Sequence, residues 1–197
     1  MGLIRIGIPV ARPELQDLEL ALLAERHYGD IAYLQWVRSM SPKAQTNRPG
    51  FNDLRQRYNN QLNWFCQTLA AQVSGPFDAI VTPPSSRPHL IEPYLTALRA
   101  KFSACDLSGY LERKQGVKSG DSSATLEAVE KVVTIMEAAG LDALSSVLFV
   151  DDVLAEGKTA AVVFRRLRSA GLSPNCRLGL ACPLWVTPEE RSRATGQ

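Results

Sequence analysis

Two adjacent acids, Asp151 and Asp152, stand directly after the apolar run Val147-Leu148-Phe149-Val150, and Gly157, Lys158 and Thr159 follow six residues later. Carboxylates at the end of a strand accept hydrogen bonds from vicinal hydroxyls. A glycine-containing turn that opens a helix presents backbone N–H groups with no acceptor of their own, and such groups hold a phosphate. A sugar phosphate is therefore the first ligand class the spacing suggests. Gly157 lets the backbone approach an anion closely, and Thr159 adds a hydroxyl donor.

The elements that must position these residues are legible from periodicity. Ser146 to Val150 reads as a buried strand, and the helix after Gly157 runs on to Leu172. Phe77 to Thr82 is a second compact strand, followed by the turn Pro83-Pro84-Ser85-Ser86-Arg87-Pro88. Leu90, Ile91, Tyr94, Leu95, Leu98 and Phe102 mark the next helix. Asp106 to Arg113 reads as extended, and Gln115 to Ser123 as a polar, glycine-containing loop. Leu126, Val129, Val133 and Met136 predict a helix closed by Gly140, and Arg177 to Leu184 a last strand. Alternation of this kind implies an α/β fold with a mainly parallel sheet and helices on both faces. Ligands of such sheets sit beyond the carboxyl ends of the strands, where the turns after Val81 and Val150 both fall.

The first 75 residues read differently. Leu3 to Val10 suggests a short strand, Glu14 to Ala24 and Ile31 to Met40 suggest helices, and the steps of three and four from Phe51 to Val73 predict a long amphipathic helix. The division expected is a helical N-terminal extension over 1–75 and an α/β core over 76–197.

With 45% hydrophobic and 21% charged residues and a net charge of +2, the chain has an ordinary globular composition without a basic nucleic-acid footprint. No run approaches the ~20 apolar residues of a membrane span, and Arg5, Arg12 and Glu14 break any signal-peptide layout. Cys66, Cys105, Cys176 and Cys182 show no CxxC spacing and read as reduced core thiols, which points to the cytoplasm.

Val147 to Thr159 resembles the phosphoribosyl-pyrophosphate motif of type I phosphoribosyltransferases: a hydrophobic strand, two acids and a small-residue phosphate loop. The resemblance spans Phe77 to about Leu184. It implies that Asp151 and Asp152 contact the ribose hydroxyls and, through them or water, magnesium. It implies that Ala155, Glu156, Gly157, Lys158 and Thr159 form the 5′-phosphate loop; Leu154 either flanks the base or packs in the core. Pro84, Ser85, Ser86 and Arg87 match the pyrophosphate loop, although a serine N-cap with Pro88 in the first turn accounts for the same letters. Arg113 and Lys114, with Lys118, Gly116 and Gly120, match the family's flexible loop, whose cations stabilise departing pyrophosphate; a solvated surface loop is the alternative. Tyr110 either stacks on a base or packs in the core.

Two positions depart from the family. Glu156 stands where it usually has Thr or Ser. Ala155 stands where the 6-oxopurine enzymes carry an Asp, which disfavours hypoxanthine or guanine as acceptor. The activity implied is transfer of a phosphoribosyl group to a nitrogen acceptor. The alternative is a regulatory or assembly module that keeps the sugar-phosphate pocket, with a partner protein held by the N-terminal helices. A third reading, in which Glu156 accepts from a free 5′-hydroxyl, makes the substrate a nucleoside. The family commonly forms dimers, and its acceptor-choosing hood can come from an extension such as the one carrying His27, Tyr28, Tyr33, Trp36 and Arg38.

Overall fold

The computed structural model describes residues 4–5, 23–24, 67, 70–71, 73, 75–84, 88–114, 125–151, 153–154, 157–181 and 184–185. At its centre are four parallel strands: β3 (Ala79–Val81), β4 (Cys105–Asp106), β7 (Ser146–Val150) and β9 (Arg177–Ala181), in the spatial order β4-β3-β7-β9. Ala79, Ile80 and Val81 pair with Val147, Leu148 and Phe149, and Val150 pairs with Ala181. Every residue of β7 is buried, as an uninterrupted apolar run between two covered faces requires.

The two faces separate by alternation. Val81, Val147, Phe149, Leu178 and Leu180 face one core. Ile80, Leu148, Val150 and Ala181 face the other. The second core is closed by α1 (Pro88–Phe102) through Ile91, Tyr94, Leu95 and Leu98. The first is closed by α2 (Leu126–Val132) and α3 (Lys158–Ser169), which buries Ala160 to Phe164 and Leu167. Helices thus cover both faces. Gly179 is required on the α1 side, because a Cβ there would stand 2.6 Å from the Phe77 ring.

α3 stops where Gly171 enters the left-handed region at φ +110°. The Leu172 amide donates to the Leu167 carbonyl at 2.9 Å and the Gly171 amide to Arg168 at 3.2 Å, a Schellman end that buries Leu172. At the strand starts, Asp78 Oδ2 accepts from the amides of Ser145 and Ser146, each at 2.8 Å, and ties β3 to β7.

Several expectations are corrected. The helix expected from Leu126 to Gly140 ends at Val132, and β6 (Val133–Ile135) pairs antiparallel with β5 (Leu111–Arg113). The β-branched run Val132-Val133-Thr134-Ile135 fits a pleated ribbon better than a helix. Met136, expected on the helix's apolar stripe, is 43% exposed. The extended stretch expected from Asp106 to Arg113 is broken by a 3-10 turn over Ser108–Tyr110. The last strand divides into β9 and β10 (Leu184–Trp185), and β10 pairs in parallel with β8 (Val153–Leu154). Cys105 is exposed rather than a core thiol, whereas Cys176 is buried.

In the N-terminal region, Leu23–Ala24, placed at the end of an expected helix, instead form strand β2 against β1 (Ile4–Arg5), and β2 lies beside β10. Residues 67, 70 and 71 are helical, in keeping with the long helix, and Lys101 Nζ closes that helix end by donating to the carbonyls of Ala70, Ala71 and Val73 at 2.9, 2.6 and 2.7 Å. The helix expected over Ile31 to Met40, the aromatic cluster around Trp36, and Cys66 and Cys182 lie outside the described residues. No helix among the described residues is long and apolar enough to cross a membrane.

Candidate functional site

The strand order places the site. The chain leaves β3 for β4 on one side, and reaches β7 and β9 on the other. The order therefore reverses between β3 and β7, and the crevice of such a sheet opens beyond their carboxyl ends. β3 ends at Val81, in register with Phe149, so the chain exits at Thr82 on one strand and at Asp151 one rung further along its neighbour. Adjacent strands lie about 5 Å apart. Thr82, Pro83 and Pro84 thus share an edge with Asp151.

Each exit is anchored. The Asp151 amide donates to the Ala181 carbonyl at 3.2 Å, which extends the β7–β9 ladder by one residue and leaves the half-buried carboxylate at the sheet edge. Thr82 is 8% exposed. Its amide and its Oγ1 both donate to Ser108 Oγ, each at 2.9 Å. Ser108 is held in turn by its own amide, which donates to Asp106 Oδ1 at 2.9 Å, and Asp106 pairs with Arg99 of α1. Neither Thr82 nor Ser108 was expected as part of the site. Their contact joins residues 26 apart in sequence, and nothing in the local pattern signals it.

The entry to α3 is the third component. Gly157 is buried and left-handed, at φ +73° and ψ +7°, and its carbonyl accepts the Ala161 amide at 2.9 Å. A residue with a Cβ is strained there. The contrast with α2 is informative. α2 begins on Thr125, whose Oγ1 accepts from the Ala128 amide at 3.2 Å, and Glu127 lies in its first turn. The protein therefore supplies α2's first turn with both an acceptor and a negative charge. At α3 the cap has no side chain, the first turn contains no acid, and Lys158 and Thr159 are half-buried. The first N–H groups of α3 have no acceptor within the helix, and its positive end favours an anion.

Among the remaining expected residues, Arg113 is half-buried at the end of β5, on the rung opposite Val133, and Lys114 follows it, exposed, with its amide donating to Val132 at 2.8 Å. Both belong to a ribbon inserted between β4 and β7. Tyr110 is partly buried against the α2–α3 core, in line with a packing role. Leu154 lies in β8, in register with Trp185, a neighbour the sequence reading did not include. Asp152, Ala155, Glu156, Ser85, Ser86, Arg87, Lys118, Gly116 and Gly120 lie outside the described residues, although α1 does begin at Pro88 as proline in a first helical position allows. No group of three or more His, Cys, Asp or Glu that could hold a metal occurs among the described residues. A magnesium ion here would rely on a ligand's own phosphates with one or two carboxylates, a coordination common for that ion.

The fold so defined is a parallel α/β sheet with a strand-order reversal, an acid at the end of β7 and a left-handed glycine opening the next helix. No protein-family model and no curated protein matches the chain. In fold, it is similar to solved phosphoribosyltransferases. Adenine phosphoribosyltransferase from Leishmania tarentolae has 15% identity and a TM-score of 0.45, with 98% of each chain covered. The enzyme of that name from Thermoanaerobacter pseudethanolicus has 16% identity and a TM-score of 0.42, covering 64% of this chain and 83% of that one. The Saccharomyces cerevisiae enzyme, solved with an imino-altritol bisphosphate and adenine, has 22% identity and a TM-score of 0.32, covering 74% and 75%. This likeness is one of chain course, and the chemistry is read from the residues above.

Proposed function

We propose that the chain binds phosphoribosyl pyrophosphate and transfers its phosphoribosyl group to a nitrogen acceptor. The observation that carries the proposal is the pairing, at one strand-order reversal, of the Asp151 carboxylate after β7 with an α3 entry that opens on left-handed Gly157 and has no acid in its first turn. Asp151, with Asp152 next in sequence, accepts hydrogen bonds from the ribose 2′ and 3′ hydroxyls. The N–H groups at the start of α3 and the Thr159 hydroxyl hold the 5′-phosphate. The chain after Thr82, held by Ser108, receives the pyrophosphate, with Ser85, Ser86 and Arg87 as donors. Arg113 and Lys114 add positive charge to the leaving group.

Asp151 and Asp152 are the carboxylates that would hold magnesium, directly or through water, and the ion when bound would supply positive charge to the pyrophosphate. As the bond from the anomeric carbon to pyrophosphate oxygen lengthens, positive charge grows on the ribose ring and negative charge on the leaving group. The residues contribute by fixing both ends of the sugar and by stabilising that charge separation, with no covalent protein intermediate. The nitrogen nucleophile then forms the new bond to the anomeric carbon.

Calorimetric titration with phosphoribosyl pyrophosphate and magnesium tests the proposal. Saturable heat over micromolar to millimolar ligand is expected, and its absence overturns the reading.

A second reading is favoured by one residue. Glu156 directly precedes Gly157 in sequence, and a carboxylate within about 5 Å of a bound phosphate would be repulsive in a partly desolvated site. A sugar-phosphate pocket retained for regulation or assembly, with a partner held through the N-terminal region, tolerates that cost better than a turnover site does. Product formation from phosphoribosyl pyrophosphate and a panel of nitrogen acceptors separates the two, since the regulatory module binds without turnover.

A further inference from the structure

α3, which opens at Gly157, also bonds the end of α2 and the β5–β6 ribbon whose first arm ends in Arg113. Arg166 lies on α3, half-buried. Its Nη2 donates to the Glu130 carbonyl at 2.6 Å and its Nε to the Val133 carbonyl at 3.2 Å. The neighbouring Arg165 pairs with the Glu130 carboxylate. Glu130 and Val133 flank the junction where α2 ends and β6 begins.

That junction leaves carbonyls that the seven-residue helix cannot satisfy internally. The Val129 carbonyl takes the Val133 amide. The Val132 carbonyl takes the Lys114 amide at 2.8 Å. The Glu130 carbonyl takes Arg166. The junction is therefore closed from two sides, by a residue of α3 and by the last part of the β5 arm. Val133, the second carbonyl that Arg166 grips, is the rung partner of Arg113. One guanidinium thus bonds, through two different nitrogens, the rung on which Arg113 stands and the helix turn before it.

We infer that Arg166 is a positioning residue that fixes the β5–β6 ribbon, and with it Arg113 and Lys114, relative to the α3 phosphate entry. This rests on the function proposed above for its consequence on ligand binding, but the clamp itself is a property of the fold. Without Arg166, α3 still opens at Gly157 and the central sheet is untouched, while the ribbon loses its bond to α3. A ligand reaching only the ribose and 5′-phosphate sites is then indifferent to the change. A ligand that also needs the ribbon's cations is not.

Two measurements on Arg166→Ala, Arg166→Lys and the control Arg165→Ala test this. The first is amide hydrogen exchange without ligand. In Arg166→Ala the Lys114 and Met136 amides, which bond across the ribbon to the carbonyls of Val132 and Tyr110, should exchange about tenfold faster or more, while those of Val147 to Val150 stay within about twofold. Arg166→Lys, which keeps the charge and one donor direction, should recover part of the protection. A uniform rise across ribbon and sheet, or no rise, overturns the inference. The second is affinity for ribose 5-phosphate and for phosphoribosyl pyrophosphate with magnesium. Arg166→Ala should weaken the pyrophosphate ligand about tenfold and leave ribose 5-phosphate within about twofold. Equal losses for both ligands, or none, overturn it. If the unaltered protein binds neither ligand, the proposed function falls, and the exchange measurement still decides whether Arg166 clamps the ribbon.

Discussion

The Asp151 amide donates to the carbonyl of Ala181 at 3.2 Å, so the bond that completes the β7–β9 ladder belongs to the residue whose carboxylate is the proposed sugar contact. Backbone and side chain have separate tasks at this position. The ladder fixes where the acid stands, and the acid is replaceable without breaking the ladder. Asp151→Asn should therefore fold as the unaltered protein does, with a melting temperature within about 2 °C, since the change leaves the ladder bond and the core intact. Its affinity for phosphoribosyl pyrophosphate should fall about tenfold to a hundredfold, the usual worth of hydrogen bonds to a charged acceptor. Thermal melting beside calorimetry checks both.

Gly157→Ala should act on stability and binding together. The left-handed φ of +73° costs a residue with a Cβ about 1–2 kcal/mol. Relief of that strain swings the backbone at the start of α3 and misaligns its N–H groups. Denaturant unfolding should show the loss of stability, and ribose 5-phosphate titration a weaker phosphate contact.

Glu156→Thr is the substitution expected to improve binding. Glu156 stands one residue before Gly157 in sequence, and a carboxylate directed at an anion bound at the start of α3 would repel it. Tighter binding of ribose 5-phosphate, read by calorimetry at low ionic strength, is the expected outcome. Unchanged affinity would mean that the Glu156 side chain is turned to solvent.

Asp78→Ala should destabilise without touching the site. It leaves the amides of Ser145 and Ser146 without their carboxylate acceptor at the opposite end of the sheet. A loss of about 1–3 kcal/mol in denaturant unfolding is expected, with ligand affinity preserved in the folded fraction.

The thiols should respond to pH and to reagents in different ways. Burial, with Asp78 adding to it, pushes the Cys176 thiol above its ordinary 9.0, outweighing the lowering by Arg168 and Arg177. A group whose folded value lies above its unfolded one stabilises fully below the unfolded value and loses that contribution as pH rises through the folded value. Stability should thus fall above pH 9.0 by an amount that Cys176→Ala removes. Peptide mapping after alkylation of the native protein should find Cys105, which is exposed, modified well before Cys176.

The parts of this molecule legible in sequence are those fixed by local pattern. Val147 to Val150 is apolar without interruption because both faces of β7 are covered, and that same burial forces the first polar residue, Asp151, to the sheet edge. The glycine at 157 announced the turn before α3. The β5–β6 ribbon was hidden because Leu126, Val129, Val133 and Met136 fall at helical spacing, while the partner that makes Val133 to Ile135 a strand lies about twenty residues earlier in the chain. Strands of two residues such as β8 and β10 carry too little pattern to be read alone and exist only as a pair. The hydroxyl contact of Thr82 with Ser108 and the grip of Arg166 on Glu130 and Val133 are likewise tertiary, since each joins polar groups whose neighbours in sequence do not distinguish them from ordinary surface residues.

The most direct measurement is a crystal structure of the protein with ribose 5-phosphate bound. The phosphate should lie within hydrogen-bonding distance of the N–H groups at the start of α3, with the ribose 2′ and 3′ hydroxyls donating to the carboxylates of Asp151 and Asp152. A ligand bound away from the ends of β3 and β7, or one whose phosphate contacts neither Gly157 nor Thr159, would contradict the account.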